Sequence, residues 1–393
     1  MQPLHPSKYA SLFSKKQKYL KEDFFGTSPT PFVGKWGYPN INVGIMAIPE
    51  IEQEAWKYDA PRFWARSNLG IPEIVDYRTS LINSMFQANI KQSNISQKLL
   101  ELSQEIGMSS RPVEIEINLE NKPFFRMNTY DNMAPTGPNA KLRKAKITEN
   151  PKIEKKVDKA VSDTDLKAVD AVLDLFNSGY DENFLTKLLS IGNLGIKENR
   201  KLVPTRWSIT AVDDAIGKDI INQILDFNEL GFCAFSGDYL GNHYLILTFP
   251  ETWRYELFEM YAPSMNNPSP KIWTDYESSF GRKTYASDTA GGYYAARLPI
   301  LEKLKSLKKR ASILALRFIT EEYSSPLGVW VVRETVRKTM EANPIVFQEE
   351  RFMMRYAESY IKKKFGFDIT NIFKKSLLLK EIRDQPSLKT WFD

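Results

Sequence analysis

A chain of 393 residues with 42% hydrophobic, 26% charged and 12% aromatic residues has the make-up of two folded domains, or one large one, which excludes wholesale disorder. The 54 basic residues exceed the 48 acidic ones by six, a balance that permits contact with nucleic acid without demanding it. One cysteine, Cys233, and two histidines, His5 and His243, exclude an intrachain disulfide and a four-ligand cysteine or cysteine–histidine zinc site, and leave carboxylate-held magnesium or manganese as the metal class the composition admits.

No run of eighteen uncharged apolar residues occurs and the first twenty residues lack an apolar stretch, so neither a membrane span nor a secretory signal is expected. A cytoplasmic protein fits this and the cysteine usage. In chain order, residues 7–22 predict a basic amphipathic helix. The stretch FFGTSPTPFVGKWGYPNINVG then carries Pro29, Pro31, Pro39 and four glycines, which argues against a helix, while Phe24, Phe25, Phe32, Trp36 and Tyr38 are too apolar for a solvated linker. It reads as an irregular loop pinned to the core, with a base-stacking surface as the alternative.

Helical signals dominate residues 50–105, with Asn94 or Ser96 placed to cap SQKLLELSQEIG. PVEIEINL, residues 112–119, alternates with period two and predicts a half-buried strand, and ENK before PFFRMN suggests a hairpin. Between Lys141 and Ala160 eight basic residues face three acidic ones. The run is either a solvated connector into a charged helix or a phosphate-contacting arm built on Lys141, Arg143, Lys144 and Lys146. Two helices separated near residues 178–180 are expected over 152–190.

RWSITAV, residues 206–212, reads as a strand, with Asp213 and Asp214 opening a helix to about Phe227. Residues 231–237 and 243–249 predict paired strands across DYLGN, followed by a helix from Pro250. Asp288 or Thr289 is placed to cap a helix with a basic tail. ASILALRFI, residues 311–319, predicts a buried strand, and the segments 329–340, 351–366 and 369–382 predict helices. Strands alternating with helices plus one antiparallel hairpin predict a mixed α/β or α+β fold. The expected domains are a helix-rich part over 1–140 with the aromatic loop and a short hairpin, a mixed core over 141–382, and a flexible tail over 383–393.

The most specific signal is that tail, QPSLKTWFD. Gln385, Leu388, Trp391 and Phe392 stand in the spacing Q-x-x-h-x-x-a-a, where h is aliphatic and a aromatic. In a 3-10 turn, side chains three apart eclipse, so the leucine and both aromatics form one apolar plug. The glutamine amide is free to bond to the rim of a receiving pocket. The spacing resembles the motif by which replication and repair proteins dock on the sliding clamp PCNA.

The chain as a whole resembles the archaeal Nre family of DNA repair proteins. The resemblance is carried by DFFGTSPTPFVGKWGYPNINVG, DYRTSL at 76–81, LVPTRWSITAVDD and GRKTYASDTAGGYYAARLPILEKL, together with the tail. It implies a DNA-damage role and a link to PCNA. Many relatives begin with a cysteine-rich zinc-binding segment, whereas no cysteine precedes Asp23, so no structural zinc is expected.

Two further constellations carry chemistry. Asp213 and Asp214, with Asp238, Asp275 and Glu277 near other predicted strand or loop ends, are either helix caps or ligands converging on a metal ion. Lys201, Arg206, Arg282, Lys283 and Arg297 are candidate phosphate clamps, and Gly291-Gly292 ahead of a helix serves either phosphate binding or tight packing. His243 and Cys233 read as structural. The sequence therefore predicts a DNA-repair factor brought to DNA by PCNA. A carboxylate-metal enzyme acting on nucleic acid and a non-catalytic adaptor between the clamp and another repair protein are the alternatives.

Overall fold

The computed structural model describes residues 7–91, 97–125, 136–264, 267 and 270–384. The chain divides into two compact units, Met1–Ile216 with Ser324–Gly328 and Gly217–Tyr323 with Val329–Asp393.

The first unit runs α1 (Ser7–Gln17), β1 (Asp23–Val33), β2 (Asn40–Ile48), a 3-10 turn, α2 (Pro61–Arg66), α3 (Ile71–Ser80), β3 (Ile82–Asn89), α4 (Gln97–Met108), β4 (Val113–Leu119), β5 (Asn139–Ile147), α5 (Lys155–Ser162), α6 (Ala168–Asn177), α7 (Glu182–Ser190) and the part of α8 (Thr205–Ile224) up to Ile216. Its strands close into a barrel of order β1-β2-β3-β5-β4, with β1 paired back to β4. All pairs are antiparallel except β3 with β5. Period-two alternation sends Ile41, Val43, Ile45, Phe86, Ile115, Ile117, Ala140 and Leu142 into one core, to which α4 adds Leu100 and Ile106.

Several expectations change here. The aromatic stretch expected as an irregular loop is the β1–β2 hairpin. Its prolines misled because Pro29 falls where the register shifts between Thr27 and Thr30, a break in the ladder that tolerates a missing N–H. The predicted strand at 112–119 is present as β4, paired with β1 and with the basic segment β5, while Phe124 forms an isolated bridge to Asn139 and residues 126–128 of the expected hairpin lie outside the described residues. The region of helical signal also contains β3, buried and half-exposed in alternation. Residue 140, the expected domain boundary, lies in β5, inside the barrel. Three helices, not two, occupy 152–190.

The sharpest correction is α8. RWSITAV looks like a strand by its branched residues, yet it opens a twenty-residue helix. Ser208, Val212, Ile216, Ile220 and Ile224 are buried at four-residue spacing, a helical stripe that outweighs local β preference.

The second unit contains β6 (Asn228–Glu229), β7 (Phe232–Tyr239), β8 (Asn242–Phe249), β9 (Arg254–Tyr261), β10 (Ile272–Glu277), α9 (Gly291–Leu307), β11 (Lys309–Arg310), β12 (Ser312–Ile319), α10 (Trp330–Glu341), β13 (Ile345–Phe347), α11 (Glu350–Phe365), α12 (Thr370–Lys375) and α13 (Leu377–Asp384). Six strands form one sheet in the order β10-β9-β12-β8-β7-β13. The β7–β8 hairpin turns at Leu240 and Gly241, both at positive φ, the geometry that follows strand twist. Leu247, Phe258, Leu316 and Phe318 share a core with Met353, Ile361, Phe373 and Leu379 of α11–α13. On the other face α10 packs on β7 and β8, beside α9.

The helix expected from Pro250 is strand β9, parallel to β12 and buried along nearly its whole length. Its charges are paired within the fold: Glu259 with Arg317 at 2.6 Å, Arg254 with Glu381 at 3.4 Å. The architecture is mixed α+β, as the sequence predicts.

Candidate nucleic-acid interface

In the first unit, residues 34–39 connect β1 to β2. The turn is held by Gly34 N–H donating to Asn42 O (2.8 Å) and Asn40 N–H donating to Gly37 O (2.9 Å). Gly37 takes φ 91°, open to glycine at no steric cost. The turn leaves two rings in solvent, Trp36 at 73% and Tyr38 at 56% relative exposure. Lys35 Nζ lies 4.5 Å from the Trp36 ring centroid. The start of α8 is tied to the same place, because Val33 N–H donates to Thr205 Oγ1 at 3.0 Å. That bond sets exposed Arg206 and Trp207 beside the turn, with the Trp207 and Tyr38 rings 6.4 Å apart. Sequence reading named Arg206 but missed Trp207 and Lys35; the adjacent cation–aromatic pairs KW and RW were the available signal.

Lys141, Arg143, Lys144 and Lys146 of the basic run lie on strand β5, and a short connection leads from it into the charged helix α5. Asn118 pairs with Lys144 and Leu119 with Leu142, so Arg143 is an extra residue, a bulge. Strict alternation would turn one of Arg143 and Lys144 inward. The bulge lets both stay out, and Lys141, Arg143, Lys144 and Lys146 are all exposed. Neighbouring acids dilute the patch: Glu120 lies 3.8 Å from Lys141, and Glu116 is the cross-strand partner of Lys146.

Asp213 and Asp214 do not stand at a strand end. They sit in the middle of α8, Asp213 buried and Asp214 half-buried, because the strand that would have delivered them is helix. Among the described residues no group of three histidine, cysteine, aspartate or glutamate side chains is placed to hold a metal ion.

In the second unit, the block GRKTYASDTAGGYY is a loop stitched to β10. Asp275 Oδ2 accepts from Asp288 N–H (3.0 Å), Thr289 N–H (2.7 Å) and Thr289 Oγ1 (2.9 Å). Asp275 Oδ1 pairs with Arg282 at 2.7 Å. Arg282 donates besides to the carbonyls of Tyr276, Thr284 and Tyr285. Its guanidinium is thus committed to the loop, whereas Lys283 beside it is exposed. Buried Arg297 pairs with buried Glu277 at 2.7 Å, and Glu277 also accepts from Trp253 Nε1 at 2.8 Å. Asp288 and Thr289 bind Asp275 rather than capping α9, and a Cβ on Gly292 would come within 2.7 Å of Glu259 Oε1. That glycine answers to packing.

His243 lies 3.7 Å from Asp238 and edge-on to Phe365; burial, then Lys364, holds its imidazole below the ordinary value. Burial pushes the Cys233 thiol up, the state of an unreactive core residue. Gln385, Leu388, Trp391 and Phe392 lie outside the described residues. No helix among the described residues is long and apolar enough to cross a membrane.

Two family models match the chain, Archaeal Nre, N-terminal, over residues 6–266 and Archaeal Nre, C-terminal, over residues 277–391. The DNA repair protein NreA of Haloferax volcanii is 36% identical over 327 residues, covering 80% of this chain and 77% of that one. The DNA repair protein NreB of Archaeoglobus fulgidus is 32% identical over 388 residues, covering 98% and 94%. The DNA repair protein NreA of Archaeoglobus fulgidus is 36% identical over 344 residues, covering 85% of each. No solved structure matches at a significant level. With models of both halves matched and relatives similar over most of their length, the chain belongs to the archaeal Nre family.

Proposed function

We propose that this chain is a DNA-repair factor recruited to DNA by the sliding clamp PCNA through Gln385, Leu388, Trp391 and Phe392, while exposed cations of its body contact the phosphate backbone. The repair role is supported by the names of its relatives, all DNA repair proteins. The clamp reading is carried by one observation, the spacing of an amide, an aliphatic and two adjacent aromatic side chains within the last nine residues. A short peptide of this kind binds weakly alone. It gains occupancy when the body also holds DNA, since the second contact is then effectively intramolecular. Lys141, Arg143, Lys144, Lys146, Arg206 and Lys283, all exposed, are the cations available for the phosphate contacts.

The test is calorimetric titration of an archaeal PCNA with the full chain and with a chain lacking residues 385–393. Clamp binding is expected to vanish with the tail. Retained affinity in the shortened chain removes the recruitment reading.

A further inference from the structure

Five strands closed in the order 1-2-3-5-4-1, with a single parallel pair β3–β5 and a helix, α4, between β3 and β4, is the connectivity of the OB-type barrel. Connectivity alone assigns no ligand. The side chains on this barrel go further. The β1–β2 turn carries Trp36 and Tyr38 in solvent, and α8 brings Trp207, 51% exposed, to the same end. Beyond the turn, the outward side chains of β2 and β3 are amides: Asn89 donates to Asn40 at 3.0 Å, and Asn42 stands opposite Gln87. The next row places Phe32, Gly44, Met85 and Lys141 side by side across β1, β2, β3 and β5, with Phe32 and Lys141 exposed at its two ends.

We infer that this face, from the β1–β2 turn across β2 and β3 to Lys141, binds single-stranded DNA, with bases stacking on Trp36, Tyr38 and Trp207 and phosphates meeting Lys35, Arg206 and Lys141. Three large rings half or more exposed at one end of a barrel are an aggregation liability unless something covers them. Their setting selects the cover. A protein hot spot wants a desolvated apolar pocket, whereas these rings alternate with cations and give onto a floor of primary amides able to bond base edges. Solvent-exposed rings stack on unstacked bases, which a duplex does not offer. The preference for DNA over RNA rests on the repair reading; the preference for a single strand rests on the barrel alone.

The test uses the full chain, a fluorescein-labelled oligo-dT of about 16 nucleotides, the upper span of one such barrel, a duplex of equal length and an oligo-rU. Oligo-dT is expected to bind more tightly than either competitor, with a log–log salt slope of about −2 for three phosphate contacts. Trp36→Ala and Tyr38→Ala should each weaken binding about tenfold, and Trp36→Phe should restore most of it. Because both rings are exposed, unchanged thermal melting will show that the variants are folded. Absence of oligo-dT binding at low salt, equal or tighter binding of duplex, tighter binding of oligo-rU, or indifference to both alanine variants overturns the inference. The chain lacking residues 385–393 separates the two readings: if it binds oligo-dT while the full chain ignores PCNA, recruitment fails and this inference stands.

Discussion

The Glu277–Arg297 pair is buried on both sides, so neither charge is solvated if the other is lost. Glu277→Gln is expected to cost about 3–5 kcal/mol in urea unfolding. Pairing it with Arg297→Met should recover a large part, because the penalty comes from the orphaned cation. Glu256 shows another use of a strand carboxylate: it accepts from Ser376 Oγ and from the N–H groups of Leu377 and Leu378 (3.1 Å each), capping α13 from outside the helix. Glu256→Ala should cost about 1–3 kcal/mol, read as a lower urea midpoint. His243 supplies a pH dependence. It faces Asp238 from β7, Lys364 from α11 and Glu322, with burial and Lys364 lowering its value in the folded state. The unfolded chain then binds more protons in the window below the ordinary imidazole value of about 6.5, so stability is complete above that window and falls as pH drops through it. His243→Gln should flatten the stability profile there, and an unchanged slope would show that other groups carry it.

At the scale of elements, what could be read from the sequence depended on whether a segment's pattern is set by its own backbone or by distant partners. The β7–β8 hairpin, β12 and the helices α10 and α11 were legible because period and turn chemistry agree locally. Strand β9 was not, since Arg254, Glu256 and Glu259 look solvent-facing until Arg317, Glu381 and α13 are folded against them. RWSITAV was misread because Thr, Ile and Val favour strands, and only the four-residue burial stripe along the whole of α8 reveals a helix. The candidate site was half legible. Residue types marked Trp36, Tyr38, Arg206 and Lys141, but only the barrel shows that the β1–β2 turn and the start of α8 meet, and only the bulge explains four exposed cations on one strand. Replacing Lys144 and Lys146 by glutamine is expected to weaken DNA binding modestly and uniformly across sequences. The salt slope should shrink by about 0.7–0.9 for each phosphate that is no longer neutralised.

At the scale of the molecule, the boundary falls between Ile216 and Gly217, inside α8, and the chain revisits the first unit once more at Ser324–Gly328. No composition shift announces such a boundary; the obvious shift near residues 131–150 takes in the barrel strand β5 instead. The closing of that barrel has a further consequence. Each of its five strands has two neighbours, but two of the seams are short: β3 meets β5 only over Asn83–Met85, and β1 meets β4 only over Asp23–Ser28. A foreign peptide that lengthens this sheet by adding a strand of its own is confined to those two seams. Elsewhere a protein that meets the barrel has to recognise side chains rather than main chain, which makes those interactions as changeable in evolution as the residues on its skin.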